Sequence, residues 1–560
     1  MKSAGLCWGQ RYMWLRVHQL PPEHQHETHV VLRFEVPAGI TVAQAKAILT
    51  HLTRRHEILR TTYRLDPEPG QHVDPPRPLP VRVVTTERDG TPGPVETVEE
   101  LTRSPFDPAG EWPIRACLVT TGGAPKACVL VFNHLAVDVW TLGEIKRELR
   151  TQAAGMAARR PAALSPVRNR PADLARHETS ADAAITAARA MAHWREEVAR
   201  LPLDPFARRR AERDGPPARH ATLVSPFLPG AARTAAGRHG VWPSLVHVAA
   251  YAAMTAIYTG GDSAGFLSFV SNRETHPFPD VMTCMFSPTL VRVDCAGDPS
   301  FGELLGRVAG SFSRAREHAY VPYDEIVEMV SREGSRRGGP VLLSSELNFI
   351  KQRTKEYGGR RTAFTWNPVP ESWAYCGLDT YLRIDEWRDA VSLSLHAMSS
   401  VMDAGAVEWF LRGMERLVLA AGDDLRLTEL AALVPSAPET ATASSALPAP
   451  ATLPVPALAV SPAVPTAPPA PAAPSDEAVQ ALLAAVRDAH GLAGVDPSDS
   501  YTLAGGRALR IPRVLAELSG RGWRGLTLQQ LAGPTPLGAL AARLTPVPQT
   551  STTPIPSHRE

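Results

Sequence analysis

His134 closes the apolar run of Val129-Leu-Val-Phe-Asn-His-Leu-Ala-Val-Asp-Val-Trp140, and Asp138 follows it by four residues. An imidazole exchanges a proton near neutral pH, so one held at a strand end, where loops form clefts, can serve as a general base. Asp138 stands where a helix-like stretch begins and can cap it. If buried, its carboxylate needs a cation or several donors. The same residues also fit a strand running into a turn, with a satisfied histidine beside a helix cap, because H-x-x-x-D alone discriminates weakly. A second stretch, DSYTLAGGRALRIP at 499–512, sets Gly505 and Gly506 before a helix-like segment and Ala508 just inside it. Read alone, this is the turn before a helix of a plain bundle.

The elements around these residues alternate in type. ETHVVLRFEVP has strand alternation, and TVAQAKAILTHLTRRHEIL has helical apolar spacing with Thr41 as a plausible N-cap. RACLVTT and KACVLVFNH, separated by GGAP, predict a hairpin that ends at His134. WTLGEIKRELRTQAAGM reads as the helix after Asp138. Farther on, SLVHVAAYAAMTAIYTG reads as a buried helix, GFLSFVSNR as a buried strand, AVSLSLHAMSS as a strand and AGAVEWFLRGMERLVLAA as an amphipathic helix. Mixed α/β layers follow from this order. From 434 to 474 proline and alanine dominate and Glu439 is the single charge, so an extended tether is expected. Beyond it, residues 475–545 offer four helical segments, enough for a small bundle. Residues 546–560 read as a disordered tail.

Composition narrows the function. With 44% hydrophobic and 21% charged residues the 560-residue chain is globular, and a formal charge of +2 recruits neither nucleic acid nor anionic membrane. The six cysteines are scattered, with no C-x-x-C pair, so no metal site and a reducing compartment are expected. Arg11 and Arg16 interrupt the N-terminal apolar residues of a would-be signal peptide, which makes cytoplasmic residence the expectation.

NHLAVDV resembles the HHxxxDG motif of nonribosomal peptide synthetase condensation domains. Other segments resemble the family in its own order. GQRYMWLRVHQL (9–20) looks like its opening Q-x-x-x-W, and LTRRHEILRTTY (52–63) its R-H-E-x-L-R-T. SPFDPAGEWPIRACLV (104–119), FVSNRETH (269–276) and FSPTLVRVD (286–294) look like later family segments. The resemblance implies two chloramphenicol-acetyltransferase-like lobes, 1–172 and 175–432, set as a V around a tunnel with His134 at its middle. It implies that His134 is catalytic, positioning or deprotonating the attacking amine. Asp138 would be structural and paired with Arg273. Asn133 replaces the first motif histidine, whose role is largely structural. Val139 replaces the motif glycine and would narrow the tunnel.

DSYTLAGGRAL is similar to the D-S-F-F-x-L-G-G-x-S-L signature of peptidyl carrier domains, with Ala508 at the serine that bears phosphopantetheine. Alanine has no hydroxyl, and Ser500 lies too far upstream to substitute. The resemblance implies a degenerate carrier and no cofactor bound covalently to this chain. The substrate would ride on the phosphopantetheine of an acyl- or peptidyl-carrier protein acting in trans. The expected function is a stand-alone condensation enzyme of secondary metabolism that joins the acyl thioester to an amine acceptor, free or carrier-bound, as an amide or less readily an ester. The alternatives are a non-catalytic module that recruits carrier proteins or a tailoring enzyme, and acyl transfer without any carrier.

Overall fold

The computed structural model describes residues 2–65, 68–86, 93–274, 276–352, 354–435 and 475–547. In the N-terminal lobe four strands lie in the order Val30–Glu35, Ala124–Phe132, Ile114–Thr121, Val81–Thr85. The middle two form the hairpin that the sequence predicts. Its turn uses Gly122 and Gly123 at φ +56° and +74°, where a Cβ would be strained. The apolar run before His134 is unbroken because both faces of its strand are covered. Leu130 and Phe132 pack under helices Val42–Arg55 and Val139–Ala157, while Val129 and Val131 meet Leu101 and Phe106 on the other side. Thr41 caps its helix as expected, accepting the Gln44 N–H at 3.2 Å.

The C-terminal lobe is a seven-stranded mixed sheet running Ser287–Asp294, Ser263–Val270, Ser345–Lys351, Thr380–Glu386, Val391–Met398, Ala218–Ser225, Ala363–Trp366. Helix Pro243–Thr259, apolar around its circumference, is buried among helices Leu228–His239, Phe301–Glu317 and Ala404–Ala420. A connection, 271–286, leaves this sheet and crosses to the N-terminal lobe before returning. Among the described residues no single helix is long and apolar enough to cross a membrane, and no cluster of His, Cys, Asp and Glu could hold a metal.

The lobe boundaries differ from the expected ones. The step between 172 and 175 falls inside helix Pro171–Glu178, whose Leu174 and Ala175 pack on Cys7, Val281 and Met285 and so belong to both lobes. The tether does not begin at 434. Val434 is buried in the C-terminal core and the Trp409 indole donates to the Pro435 carbonyl at 2.6 Å, because an apolar side chain gains more in the core than in solvent. The remaining tether, 436–474, lies outside the described residues, as do residues 548–560.

The C-terminal unit contains helices Asp476–His490, Ile511–Gly520, Leu528–Ala532 and Leu537–Ala541. Ala508–Arg510 is a 3-10 turn rather than the start of an α-helix. Order runs past 545: Thr545–Pro546 pairs with Trp523–Arg524, and the Val547 N–H donates to the Gly522 carbonyl at 2.7 Å, correcting a tail that begins at 546. The core of this unit, with Leu482, Val486, Ile511 and Leu531, is continuous with Tyr12, Met13 and Trp14 of helix Trp8–Gln19 in the body.

That first helix lies directly on the crossing connection. A Cβ added at Gly9 would stand 2.2 Å from the Cys284 carbonyl oxygen and 3.0 Å from Met285 Cα, both backbone atoms that cannot rotate away. Gly9→Ala is therefore expected to push helix and connection apart and destabilise the fold by about 1–3 kcal/mol. A lowered midpoint in urea unfolding would show it, and an unchanged midpoint would refute the close approach.

Candidate active site

The strand Ala124–Phe132 delivers Asn133 and His134 to its end. The turn that carries them is tied locally. Asn133 is buried, its Oδ1 accepts the Leu135 N–H at 3.0 Å, and its carbonyl accepts the Ala136 N–H at 3.1 Å. Asn133 thus shapes the turn through a side-chain-to-backbone bond that short polar residues make well.

Asp138 sits at the N-cap of helix Val139–Ala157 and is buried. Its Oδ1 accepts the Thr141 N–H at 2.7 Å. Its Oδ2 accepts Arg273 Nη2 at 2.9 Å and the Met285 N–H at 3.1 Å. Arg273, equally buried, also donates to the carbonyls of Pro279, Val281 and Thr283, and its guanidinium lies 4.0 Å from the centre of the Trp140 ring. One carboxylate and one guanidinium therefore gather the helix start, the crossing connection and both lobes. With those acceptor positions committed to donors other than the imidazole, Asp138 has a structural place.

His134 lines a cavity of about 770 Å³ between the lobes, which both contribute walls. Its Nδ1 is buried, close to the backbone of His134 and Val137. Aromatic rings surround it. Phe286 lies 5.6 Å from His134 between centroids, Tyr12 lies 5.6 Å from Phe286 edge-on, and Phe269 lies 5.8 Å from Phe286. This burial pushes the imidazole pKa below its usual value, while nearby backbone groups of His134 and Val137 and the Asp138 charge partly offset it. The neutral, proton-accepting form is the one such surroundings favour. Val139, 73% exposed, lines the same cavity next to Asp138, so its side chain projects into open space. Ala508 is not at this site. It is buried in the C-terminal unit, where its N–H donates to Glu328 of the body at 3.0 Å.

Several lining residues were not singled out from the sequence. Arg16 and Glu346 face each other at 3.8 Å, and burial pushes the Glu346 carboxyl up against the opposing pull of Arg16. Tyr12, Phe286 and Trp373 complete the apolar walls. A carboxylate inside the strand segment Ser345–Lys351 was the available signal for Glu346, since strands seldom bury an acid without a partner. The aromatic residues carry no such mark in the sequence.

The family profile of the condensation domain matches residues 6–371, and the chain belongs to that family. Its fold of two lobes is that of chloramphenicol-acetyltransferase-like condensation domains. Among relatives, CymA of Salinispora arenicola, named a nonribosomal peptide synthetase, is 27% identical over 412 residues, which are 71% of this chain and 5% of CymA. Phosphinothricin tripeptide synthetase PhsC of Streptomyces viridochromogenes is 25% identical over 350 residues, 60% of this chain and 32% of PhsC. The chain thus spans a small part of the relatives it matches. Among solved structures, the X-domain in complex with OxyB from teicoplanin biosynthesis superposes with a TM-score of 0.59 at 19% identity, covering 77% of this chain and 96% of that one. The condensation domain for chain release from the enacyloxin polyketide synthase gives 0.56 at 18% identity, covering 76% and 84%. Condensation domains are acyl-transfer, amide-forming enzymes that work on carrier-bound substrates.

Asp138→Ala removes a cap and leaves Arg273 charged in the interior. It is expected to cost about 3–5 kcal/mol, as for other broken buried pairs. Denaturant unfolding of the purified variant checks this. A variant as stable as the parent would contradict the structural place of Asp138.

Proposed function

We propose that the chain catalyses condensation of an acyl thioester, carried on the phosphopantetheine of a partner carrier protein, with an amine to form an amide; a hydroxyl acceptor, which would give an ester, is the less favoured alternative. The observation that supports this most is His134 at the cavity wall, with one nitrogen buried and the ring desolvated toward its neutral form. Aminolysis of a thioester is downhill. The C–N bond forms as the C–S bond breaks, the thiolate takes up a proton, and the amine loses one. The protein has two tasks: to hold thioester carbon and amine together, worth roughly 7–11 kcal/mol, and to accept the amine's proton. His134 does the second, and the walls formed by Tyr12, Phe286 and Trp373 exclude water that would hydrolyse the thioester.

The C-terminal unit is read as a degenerate carrier. Ala508 offers no hydroxyl for a phosphodiester, so the arm does not fit this chain and no step passes through it. A phosphopantetheinyl transferase supplied with coenzyme A is expected to leave the intact mass unchanged. Addition of one arm would overturn the degenerate reading.

The non-catalytic, recruiting alternative is favoured by one observation, the Val139 side chain standing in the cavity where the family motif has glycine. Turnover decides between the two. With a loaded carrier and a panel of amines, His134→Ala is expected to lower product formation about 10²–10⁴-fold with folding intact. Equal turnover in parent and variant would end the catalytic reading. The pH profile gives a second check. Imidazolium cannot accept a proton, so kcat/KM falls as pH drops through the His134 pKa. Because burial lowers that pKa, the acid limb is expected below 6.5, measured with an amine that titrates outside the range. A limb above 6.5 would contradict a desolvated histidine.

A further inference from the structure

The reaction cavity that His134 lines has a neighbour, a second cavity of about 480 Å³. Pro216, Ala218, His220, Trp366 and Val369 are among its sides, and Trp366, 44% exposed, stands at the protein surface. Among the described residues, Trp373 alone lines both cavities. The small apolar cluster to which Trp373 belongs divides between them. Its Cys376, Leu378 and Tyr381 line the reaction cavity, and its Ala218 and Val369 line the second one. The indole therefore stands as a partition between the two spaces.

Rings rather than hydrogen bonds hold this partition. Trp373 stacks on His396, with centroids 4.9 Å apart and planes at 27°, and His396 stacks in turn on His220 at 3.6 Å. Buried indoles usually donate their N–H, yet Trp373 Nε1 is buried without a partner. The backbone beneath the ring is fixed separately. Trp373 belongs to the 3-10 helix Glu371–Tyr375, whose Ser372 hydroxyl donates to Glu27 and whose Tyr375 carbonyl accepts Gln529 Nε2 at 3.0 Å. Exchanging the indole leaves those bonds in place. The surroundings of the ring are uncharged: Leu378 and Tyr381 flank it, and burial pushes the stacked His396 imidazole down to about 3, so that it is neutral. A substrate group that reaches this wall is accordingly apolar. It can lengthen further only by displacing the indole, and one methylene too many in a hydrophobic pocket changes kcat/KM by roughly 10–200-fold.

We propose that Trp373 is a specificity-determining residue of the reaction cavity: its indole sets the longest apolar tail, on the acyl group or on the amine, that the condensation accepts. The assignment rests on the condensation reading. With the indole cut back, the two cavities join and a longer tail gains the space of the second.

The full chain, Trp373→Phe and Trp373→Ala are compared in two series. In the first, a carrier loaded with an acetyl, octanoyl or dodecanoyl group meets benzylamine. In the second, an acetyl-loaded carrier meets propylamine, octylamine or dodecylamine. The quantity read is kcat/KM for the longest substrate divided by that for the shortest in the same protein, which cancels any general loss of rate. Trp373→Ala should raise this ratio at least about 10-fold over the parent in one series, and Trp373→Phe, which frees less space, by less. A rise in the acyl series puts the tail on the donor, and a rise in the amine series puts it on the acceptor. If Trp373→Ala does not fold, Trp373→Phe, which keeps a ring on His396, decides alone. Ratios that no folded variant raises in either series, or a parent that uses the longest tails as well as the shortest in both, would overturn the assignment. Product from no pair of substrates in any of the proteins would instead overturn the condensation reading, and the role of Trp373 with it.

Discussion

The ion pair between Asp138 and Arg273 organises everything near the cavity. Either group alone in the interior would be costly, and their attraction repays that cost only because further bonds satisfy both. Those bonds are present. Asp138 caps a helix of the first lobe and accepts a backbone N–H from the second, and Arg273 draws in three carbonyls of the crossing connection. The connection in turn supplies the Cys284 backbone on which Gly9 rests, and so places the helix that forms one cavity wall. His134, four residues before Asp138, inherits its position from this chain of contacts.

The same arrangement separates two roles that the spacing H-x-x-x-D leaves fused. The carboxylate is spent on backbone and guanidinium donors, and the imidazole stands in an aromatic lining where the Asp138 charge acts on it only through space. Desolvation favours the neutral imidazole, the form that the proposed condensation requires for taking a proton from an amine that has begun to bond.

Much of this could be read from the residues in order. The apolar run into His134, the Gly-Gly hairpin and the Thr41 cap are local, and their periodicity or chemistry marks them. The pairing of Asp138 with Arg273 was reached through resemblance, since nothing local to either residue names the other. What stayed hidden depends on distant segments meeting. Tyr12 and Phe286 look like ordinary core residues until they close around His134. Val434 reads as tether because proline and alanine follow it, yet the core beneath Trp409 claims it. The docking of the C-terminal unit was equally illegible: Glu328 lies on an exposed-looking amphipathic helix, and only the folded chain brings it to Arg507 and Ala508.

The account depends on Asp138 and Arg273 acting as one unit that joins the lobes, and a double-mutant cycle measures that directly. Unfolding free energies of the parent, Asp138→Ala, Arg273→Ala and the double variant would be compared in urea. A shared interaction predicts that the double variant loses less than the sum of the two, with a coupling of about 1–3 kcal/mol. Losses that add to within roughly 0.5 kcal/mol would show the two side chains to be independent, and would contradict the account.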